Sequence, residues 1–337
     1  MRIPIQTKKL MLKRIQPARL LGCFALISSI LLSISACQNE LSGEIPVVVT
    51  PSTKWTTATV NPTTHSATVL LRSMKTADVV VTLPQTGGVC TGGNCTALVP
   101  DNAFVKLDGT PVTGNVTITL TPATKYADMI FNGLSTLTDN GWLETGGMVR
   151  IKATQGSDVL KLKAGKTIKI AFPTNYDPNY RGYAGEETGD VANAVTWNLN
   201  NNWVNLPDSG QTNIQQLRVD SLDWINCDRL ANVPNPTNTY LKLPAEFGNT
   251  NTSCYIVFTS RKMIAGLYGD AANQRFWQGS SYKVPAGDVV KLIAISKQDN
   301  KIYYGSAQVT IAANMTTTIS TMEEITQAEL NTRLNAL

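Results

Sequence analysis

Alternation of apolar and polar residues dominates the chain from about residue 56 onward. The runs at 116–121, 167–172 and 307–311 place an aliphatic or aromatic residue at every second position, with mostly Thr, Lys or Gln between. Successive side chains of a strand point to opposite faces of a sheet, so these runs predict strands with one apolar face. Turn-forming pairs such as Asp108-Gly109 separate them. Short strands at this spacing favour antiparallel β-sandwiches.

Two segments depart from simple alternation. The run at 289–295 is almost wholly apolar, which predicts a central strand buried on both faces. Near the C-terminus, Thr326 and Glu329 have the spacing of a helix capping box. Leucines then recur at helical spacing: Leu330, Leu334 and Leu337. We expect this helix to cover a sheet face or edge, and a partner-binding helix is the alternative.

The predicted organisation is a mainly β protein with two tandem antiparallel β-sandwich-like domains and a short C-terminal helix. Residues 37–55 contain prolines, serines and threonines but little apolar periodicity, which is typical of a flexible tether. The first sandwich is expected at 56–205 and the second, with the helix, at 206–337. The boundary between them is placed at the stretch 198–210, which is rich in Asn and contains Pro and Gly.

Residues 1–36 have the pattern of a bacterial lipoprotein signal peptide. Six basic and no acidic residues precede Cys37: Arg2, Lys8, Lys9, Lys13, Arg14 and Arg19. The apolar run at 20–34 would form a helix of roughly 22 Å, shorter than the ~30 Å hydrocarbon core of a bilayer, which favours a signal peptide over a permanent span. The run ends in Ile34-Ser35-Ala36-Cys37, which resembles the lipobox, so we expect lipidation of the Cys37 thiol. Met11 is an alternative start.

The signal peptide also accounts for the positive charge of the whole chain. The chain has 29 Lys and Arg against 24 Asp and Glu. Because six of the basic residues precede Cys37, 23 remain against 24 acids in the mature part. Nucleic-acid binding needs a clustered basic surface. The balance therefore predicts no nucleic-acid partner.

Four cysteines follow the lipidation site: Cys90, Cys95, Cys227 and Cys254. An even number in an exported protein predicts disulfides, and three pairings are open on paper. Cys90 and Cys95 flank a glycine-containing turn, so we expect a local bridge, which leaves Cys227 to pair with Cys254. Metal coordination is the alternative. With only His65 to add and no paired CxxC spacing, we expect no metal and no cofactor.

The segment 99–120 resembles the opening of β-sandwich modules in uncharacterised surface lipoproteins of Bacteroidetes. More distantly, it is similar to the sandwich domain shared by ankyrins and netrin receptors. The segments 143–150, 162–173 and 223–229 resemble the same lipoproteins. The resemblance covers roughly residues 95–310. It implies a sandwich fold and a place at the outer membrane or cell surface, and it implies no catalytic residues.

Enzymatic motifs are sparse in the sequence. It contains no nucleophile elbow, HExxH, P-loop or Rossmann glycine pattern. His65, the only histidine, is interpreted as a solvated loop residue near the tether. A glycosidase needs only two carboxylates, so a lipid-anchored glycoside- or peptide-processing hydrolase with a carboxylate pair is the alternative function. Glu144 beside Trp142, or Glu186 with Glu187, are the candidates for such a pair.

The loop at 176–190 is the most suggestive segment for ligand binding. We favour a hairpin loop whose tyrosines pack back on the sandwich. As one alternative, four residues form a platform for sugar or peptide, since aromatic faces bind apolar surfaces and hydroxyls hydrogen-bond: Tyr176, Tyr180, Arg181 and Tyr183. As another, four carboxylates bind calcium: Asp177, Glu186, Glu187 and Asp190.

These features predict a membrane-anchored lipoprotein of the cell envelope with a non-enzymatic binding, adhesion or structural role. The expected partners are the membrane, through the Cys37 lipid, and a glycan or protein ligand. Gln38 is not the aspartate of an inner-membrane retention signal, so we expect the outer membrane, on its periplasmic or surface face. The tryptophans are expected mainly in the core, and Trp277 beside Phe276 is the best candidate for an exposed aromatic.

Overall fold

The structure, a computed structural model, describes residues 54–206 and 213–337. These residues belong to one compact unit, Val49–Leu337. Residues 1–36, predicted as a signal peptide, and Cys37 lie outside the described residues. Within them, no helix has the length and apolar character needed to cross a membrane.

The strands up to residue 230 are β1 (Val79–Leu83), β2 (Gly88–Gly92), β3 (Cys95–Val99), β4 (Phe104–Lys106), β5 (Val116–Ala123), β6 (Leu137–Thr138), β7 (Gly141–Gln155), β8 (Asp158–Leu162), β9 (Ile168–Phe172), β10 (Arg181–Glu187), β11 (Val195–Leu199), β12 (Val204–Leu206), β13 (Gln215–Val219) and β14 (Asp223–Leu230). The later strands are β15 (Pro236–Thr237), β16 (Thr239–Lys242), β17 (Thr252–Phe258), β18 (Met263–Asp270), β19 (Arg275–Trp277), β20 (Val284–Pro285), β21 (Val289–Gln298), β22 (Lys301–Thr310), β23 (Met315–Thr318) and β24 (Glu323–Ile325). The helices are α1 (Ser66–Ser73), α2 (Tyr126–Asn132) and α3 (Gln327–Asn335).

The described part of the chain is mainly β, as the alternation predicts, and its sheets are largely antiparallel. A nine-stranded sheet has the order β1-β5-β7-β14-β10-β11, with β4, β6 and β8 attached. A five-stranded sheet has the order β12-β13-β9-β3-β2. An eight-stranded sheet has the order β23-β16-β19-β18-β17-β21-β22-β24, and β15 pairs with β20. The mainly β fold class is therefore confirmed.

The nine-stranded and five-stranded sheets enclose a first core, as in a β-sandwich. Ile118 and Val149 of the first sheet and Ile170 and Leu217 of the second are all essentially inaccessible to solvent. Full burial of such a side chain contributes about 1.5–3 kcal/mol. In β5 and β9, the threonines and the lysine that alternate with Ile118 and Ile170 lie on the opposite face of their sheets, as the period of two predicts.

A second core lies between the other face of the nine-stranded sheet and one face of the eight-stranded sheet. Met148 and Trp197 come from the first of these sheets, and Ile264 and Ile293 from the second. All three described helices contribute residues to this core. The strands after residue 230 are therefore packed onto the first sandwich through a buried apolar layer.

A third core is enclosed by the opposite face of the eight-stranded sheet. Leu241 and Leu292 belong to it, and so does Trp142 from the beginning of β7. The Trp142 ring packs edge-on against Phe258 at 5.2 Å, and its Nε1–H donates to the carbonyl of Lys283 at 2.8 Å. The run predicted as a central strand is β21, which lies between β17 and β22 and is largely buried.

The first two sheets extend past the predicted boundary at residue 206. β12 and β13, on either side of it, pair antiparallel within the five-stranded sheet. β14 then lies between β7 and β10 in the nine-stranded sheet. The stretch that suggested a linker thus connects two strands of one sheet, because a hairpin connection needs the same Asn, Pro and Gly residues as a linker. The change to the eight-stranded sheet follows residue 230.

The cysteines differ from the predicted pairing. All four are free and buried. Cys90 and Cys95 lie on neighbouring strands in the first core, where Cys90 is opposite Ala97 rather than Cys95. Cys227 also belongs to the first core, whereas Cys254 belongs to the third. Cys227 and Cys254 thus lie in different cores, and neither predicted bridge is present among the described residues.

The N-terminal part of the described chain corrects two further expectations. Trp55, assigned to the tether, packs against Phe276 with ring centroids 5.0 Å apart. His65, assigned to a solvated loop, is buried and caps α1, where its ring nitrogen accepts the main-chain N–H of Thr68. Burial lowers the pKa of His65 to about 4, so the ring is neutral near pH 7.

The C-terminal helix α3 begins as the sequence predicts. Thr326 accepts the main-chain N–H of Glu329, and the Glu329 carboxylate accepts the N–H of Thr326, which completes the capping box. Leu330 and Leu334 are fully buried in the second core. The helix therefore covers a sheet face, and its apolar side is already occupied within the fold.

Candidate functional site

The tyrosines predicted to form a platform at 176–183 do not share a surface. Tyr180 is buried against the first core, and Tyr183 is buried in the second core. The guanidinium of exposed Arg181 donates to the carbonyls of Pro178 and Tyr180, so it turns back on its own loop. Tyr176 remains half-buried. The favoured interpretation, tyrosines packed back on the sandwich, therefore holds for Tyr180 and Tyr183.

Tyr176 lines a polar cavity of about 370 Å³ beside the end of β14. Glu144 is the central charge of its lining. The Glu144 carboxylate binds the guanidinium of Arg229 at 2.7 Å and that of Arg261 at 2.9 Å. Arg229 also binds the carboxylate of Asp177 at 2.6 Å. The charges of Glu144, Asp177, Arg229 and Arg261 are thus paired with one another.

The candidate carboxylate pairs do not converge as hydrolysis requires. Arg229 lies between Glu144 and Asp177 and binds both. The main-chain N–H of Asn179 and the Arg229 guanidinium hold the pKa of the Asp177 carboxyl below its usual value, whereas a general acid needs a raised pKa. Glu186 and Glu187 are consecutive residues of β10, so their side chains point to opposite faces of the sheet.

The carboxylates proposed as calcium ligands also diverge. Asp177 binds Arg229, Glu187 binds Arg150 at 3.0 Å, and Glu186 accepts a hydrogen bond from Asn198. The Asp190 carboxylate accepts the main-chain N–H of Ala192 at 2.7 Å. Across residues 54–206 and 213–337, no cluster of three or more His, Cys, Asp or Glu side chains is placed to hold a metal ion.

One carboxyl behind this cavity is fully buried. Asp228 follows a bulge in the pairing of β14 with β7. Its Oδ2 accepts a hydrogen bond from the side-chain amide of Asn226 at 2.6 Å, and within the described part of the chain its Oδ1 has no hydrogen-bond partner. Burial raises the pKa of Asp228 to about 7, although hydrogen bonds from Thr145, Asn226 and the Gly146 main chain oppose that shift. Since Asp228 is fully buried, its carboxyl is not accessible to a ligand.

A larger cleft, of about 650 Å³, opens at the end of β18. Its lining comes from three places: the segment 56–60, the β10–β11 loop at 188–192, and the strands β17 to β19. Four aromatic residues belong to it: Tyr255, Tyr268, Phe276 and Trp277. Small-molecule sites are typically concave, mostly apolar and of roughly 300–1,000 Å³. This aromatic cleft therefore fits such a site better than the charged cavity does.

A row of aromatic side chains crosses the sheet at the aromatic cleft. Trp277 is the register partner of Tyr240 in β16 and of Tyr268 in β18. Directly opposed residues share a face, so the three rings lie side by side. The rings of Tyr240 and Trp277 stack with centroids 6.2 Å apart and an interplanar angle of 15°. Trp277 and Tyr268 line the cleft, whereas Tyr240 does not.

Tyr240 is engaged on its other side. The guanidinium of Arg275 lies 3.8 Å from its ring centroid, within cation–π range. Arg275 also binds the carboxylate of Asp270 at 2.9 Å. Tyr240 therefore contacts both the Trp277 ring and the Arg275 guanidinium, and Trp277 in turn lines the cleft.

Hydrogen bonds fix both walls of the aromatic cleft. The side-chain amide of Asn249 donates to the carbonyl of Thr56 at 2.8 Å and accepts its N–H at 2.9 Å. On the opposite wall, the Asn193 amide pairs in the same manner with the main chain of Gly266. Thr188 bonds to Asn193 and Ala194 across the loop. The cleft is therefore largely formed without a ligand, which lowers the entropic cost of binding.

The sequence analysis singled out three residues of this lining, Trp277 with its neighbour Phe276 and, as a candidate calcium ligand, Asp190, but it did not bring them together as one site. Trp277 was the aromatic expected to be exposed, and it lines the cleft. Tyr268 and Tyr240 were missed because their proximity depends on strand register, which no local pattern shows. No family model matches the chain, and no curated protein is significantly similar to it.

Proposed function

We propose that this chain is a lipid-anchored protein of the cell envelope that binds a ligand in the aromatic cleft and leaves it chemically unchanged. The pattern of basic residues, apolar run and lipobox before Cys37 supports the anchor. The mature part carries almost no net charge, which fits neither nucleic-acid binding nor electrostatic attachment.

The observation that supports a binding role is that Trp277 and Tyr268, which are paired across neighbouring strands, both line the aromatic cleft. The rings of Trp and Tyr offer a ligand a large apolar surface. The indole N–H and the phenol hydroxyl can form hydrogen bonds in addition. Burial raises the pKa of Tyr268 to about 12, so its hydroxyl remains protonated near pH 7. An outer-membrane location, with the cleft serving adhesion or ligand capture, completes this proposal.

The test is intrinsic tryptophan fluorescence of the full-length protein in detergent. Three mixtures are titrated: neutral oligosaccharides, uronic-acid oligosaccharides, and short peptides. We expect at least one mixture to change the emission, and we expect Trp277→Ala to remove that change. Chromatography of the mixture after incubation should show the same compounds as before. If none of the three mixtures changes the emission, or if the responsive compounds are cleaved, this function is wrong.

A further inference from the structure

We propose that the ligand of the aromatic cleft is a neutral saccharide. This inference rests on the proposed function, because it names the chemical class that the same cleft would take. Three properties of the lining carry it: its charge, its combination of hydroxyls with aromatic faces, and the lack of an open strand edge at its floor.

The charge of the lining disfavours an anionic ligand. Among the described residues that line the cleft, the charged ones are Asp190 and Asp270, and neither Lys nor Arg is included. The Asp270 carboxylate is neutralised by Arg275 at 2.9 Å. A phosphate, sulfate or uronate would meet the Asp190 carboxylate with no cation to offset the repulsion. A neutral ligand avoids that cost.

Asp190 is placed to accept hydrogen bonds from a neutral polyol. One of its oxygens, Oδ1, accepts the N–H of Ala192 at 2.7 Å, which fixes the carboxylate on the loop. Its other oxygen has no hydrogen bond in the part of the chain that the structure describes. An ionised carboxylate accepts several hydrogen bonds, and those to a charged acceptor are among the stronger ones. The hydroxyl groups of a sugar are suitable donors.

The remaining lining pairs hydroxyls with aromatic faces. Thr57 and Thr59 are exposed and supply hydroxyl groups that both donate and accept, whereas the Thr188 hydroxyl already donates to the carbonyl of Asn193. Trp277 and Tyr268 supply adjacent rings. A sugar ring has the complementary chemistry, because its C–H groups form apolar faces and its hydroxyls form a polar rim. The cleft volume of about 650 Å³ has room for a short oligosaccharide.

The floor is less suited to an extended peptide. Peptides commonly bind by adding a strand to an open sheet edge. β19, which carries Trp277, is paired with β16 on one side and with β18 on the other. Its main-chain groups are therefore engaged in the sheet. A ligand at this floor is therefore bound by side chains, and a saccharide can be bound in this way.

The experiment is isothermal titration of the full-length protein in detergent with neutral di- to hexasaccharides of hexoses and pentoses, supplied individually. We expect saturable binding to at least one. Trp277→Ala should weaken that binding about tenfold or more, since a buried aromatic contact is a typical hot spot. Trp277→Phe should recover part of the affinity. Asp190→Asn should weaken binding several-fold, while the amide oxygen can still accept the Ala192 N–H.

The matched control is Tyr176→Ala, which removes a half-buried aromatic from the charged cavity and should leave saccharide affinity unchanged. Thermal melting of each variant separates loss of binding from loss of folding. Binding of peptides or uronic-acid saccharides that depends on Trp277, with none to neutral saccharides, overturns the saccharide inference and keeps the binding function. Neutral saccharide binding that is indifferent to Trp277 and Asp190 also overturns it.

Discussion

Asn193 hydrogen-bonds both main-chain polar groups of Gly266. Its Nδ2–H donates to the carbonyl at 3.2 Å, and its Oδ1 accepts the N–H at 2.9 Å. β19 pairs with β18 only from Tyr268 onward, so the Asn193 side chain continues the sheet edge where no strand does. A Cβ on Gly266 would lie 1.9 Å from the carbonyl oxygen of Ala192, and this close approach therefore requires glycine.

Asn193→Ala should lower the free energy of unfolding by roughly 2–3 kcal/mol, because it leaves buried main-chain groups of Gly266 without partners. The same variant should loosen the β10–β11 loop, one wall of the aromatic cleft. Denaturant unfolding measures the first effect, and hydrogen exchange of the loop measures the second. Asn198→Ala is the control, since among the described residues the exposed side chain of Asn198 hydrogen-bonds only to Glu186, at 3.3 Å, and its loss should change stability by less than about 0.5 kcal/mol. Equal effects of the two substitutions would contradict this role.

The parts of the fold that the sequence predicts are those set by local alternation. β5 and β9 follow from their period of two, and α3 follows from Thr326 and its leucines. Residues far apart in the chain account for what was missed. Strand register is what brings together Tyr240, Tyr268 and Trp277. Composition alone does not distinguish the connection between β12 and β13 from an interdomain linker.

Tyr180 and Tyr183 show why the sequence left the platform open as an alternative to tyrosines packed on the sandwich. Both come from a segment with many turn residues, which favours an exposed loop. The strand β10 nevertheless begins at Arg181 and is paired on both sides, with β11 and β14. Each tyrosine is then carried into a different core. Burial between two packed layers is a tertiary effect, and a single segment does not reveal it.

Asp228 predicts a specific dependence of stability on pH. Its pKa is about 7 in the folded protein, against about 4 in an unfolded chain. Between these values the folded state binds the extra proton, so this group makes the protein less stable as the pH rises from about 4 to about 7. Asp228→Asn should therefore match the wild type near pH 4. Near pH 8 it should be more stable, by at most roughly 4 kcal/mol.

Urea unfolding of both proteins across this pH range provides the measurement, and the difference between them isolates Asp228 from the other acids. Asp78, whose pKa is lowered by contacts with Lys75 and Thr121 against the effect of burial, supplies the control. Asp78→Asn should lose stability above pH 4 rather than gain it. A constant difference between Asp228→Asn and the wild type at every pH would rule out the buried-carboxyl explanation.

Cys254 should contribute packing and no covalent link to Cys227. The two residues lie in different cores, and both are fully enclosed. Cys254→Ala should cost about 1 kcal/mol, with or without reductant, because only the contacts of the sulfur are lost. Peptide mapping without reduction should show no Cys227–Cys254 species. A stability loss of about 3–4 kcal/mol that appears only when reductant is added to the wild type, together with that species, would restore the predicted bridge.

Cys37 lies outside the described residues, and its lipidation is tested in the native cell. Cys37→Ser should leave the membrane fraction and fail to incorporate labelled fatty acid, because the serine hydroxyl does not replace the thiol in lipid transfer. Cys23→Ser, in the apolar run, is the matched control and should be lipidated normally. Retention of Cys37→Ser on membranes after a high-salt wash would show that the attachment has another cause.

Glu144 decides between a structural and a catalytic use of the charged cavity. Its Oε2 accepts two hydrogen bonds from Arg229, at 3.1 and 2.7 Å, and its Oε1 accepts two from Arg261, at 3.0 and 2.9 Å. Arg229 belongs to β14 and Arg261 to the turn between β17 and β18. One carboxylate thus joins the nine-stranded sheet to the eight-stranded sheet.

Glu144→Gln removes the charge and replaces one acceptor oxygen by a donor, so one of the two guanidinium groups loses its partner. Because the side chain of Glu144 is only 15% exposed, we expect a loss of about 2–3 kcal/mol, less at high salt. Glu186→Gln is the control; within the described residues its exposed carboxylate accepts a hydrogen bond only from the Asn198 amide, and the variant should stay within about 0.5 kcal/mol of the wild type. A structural carboxylate requires this stability loss with unchanged ligand affinity in the aromatic cleft. A catalytic carboxylate would show the reverse, with stability retained and hydrolysis of a glycoside or peptide abolished.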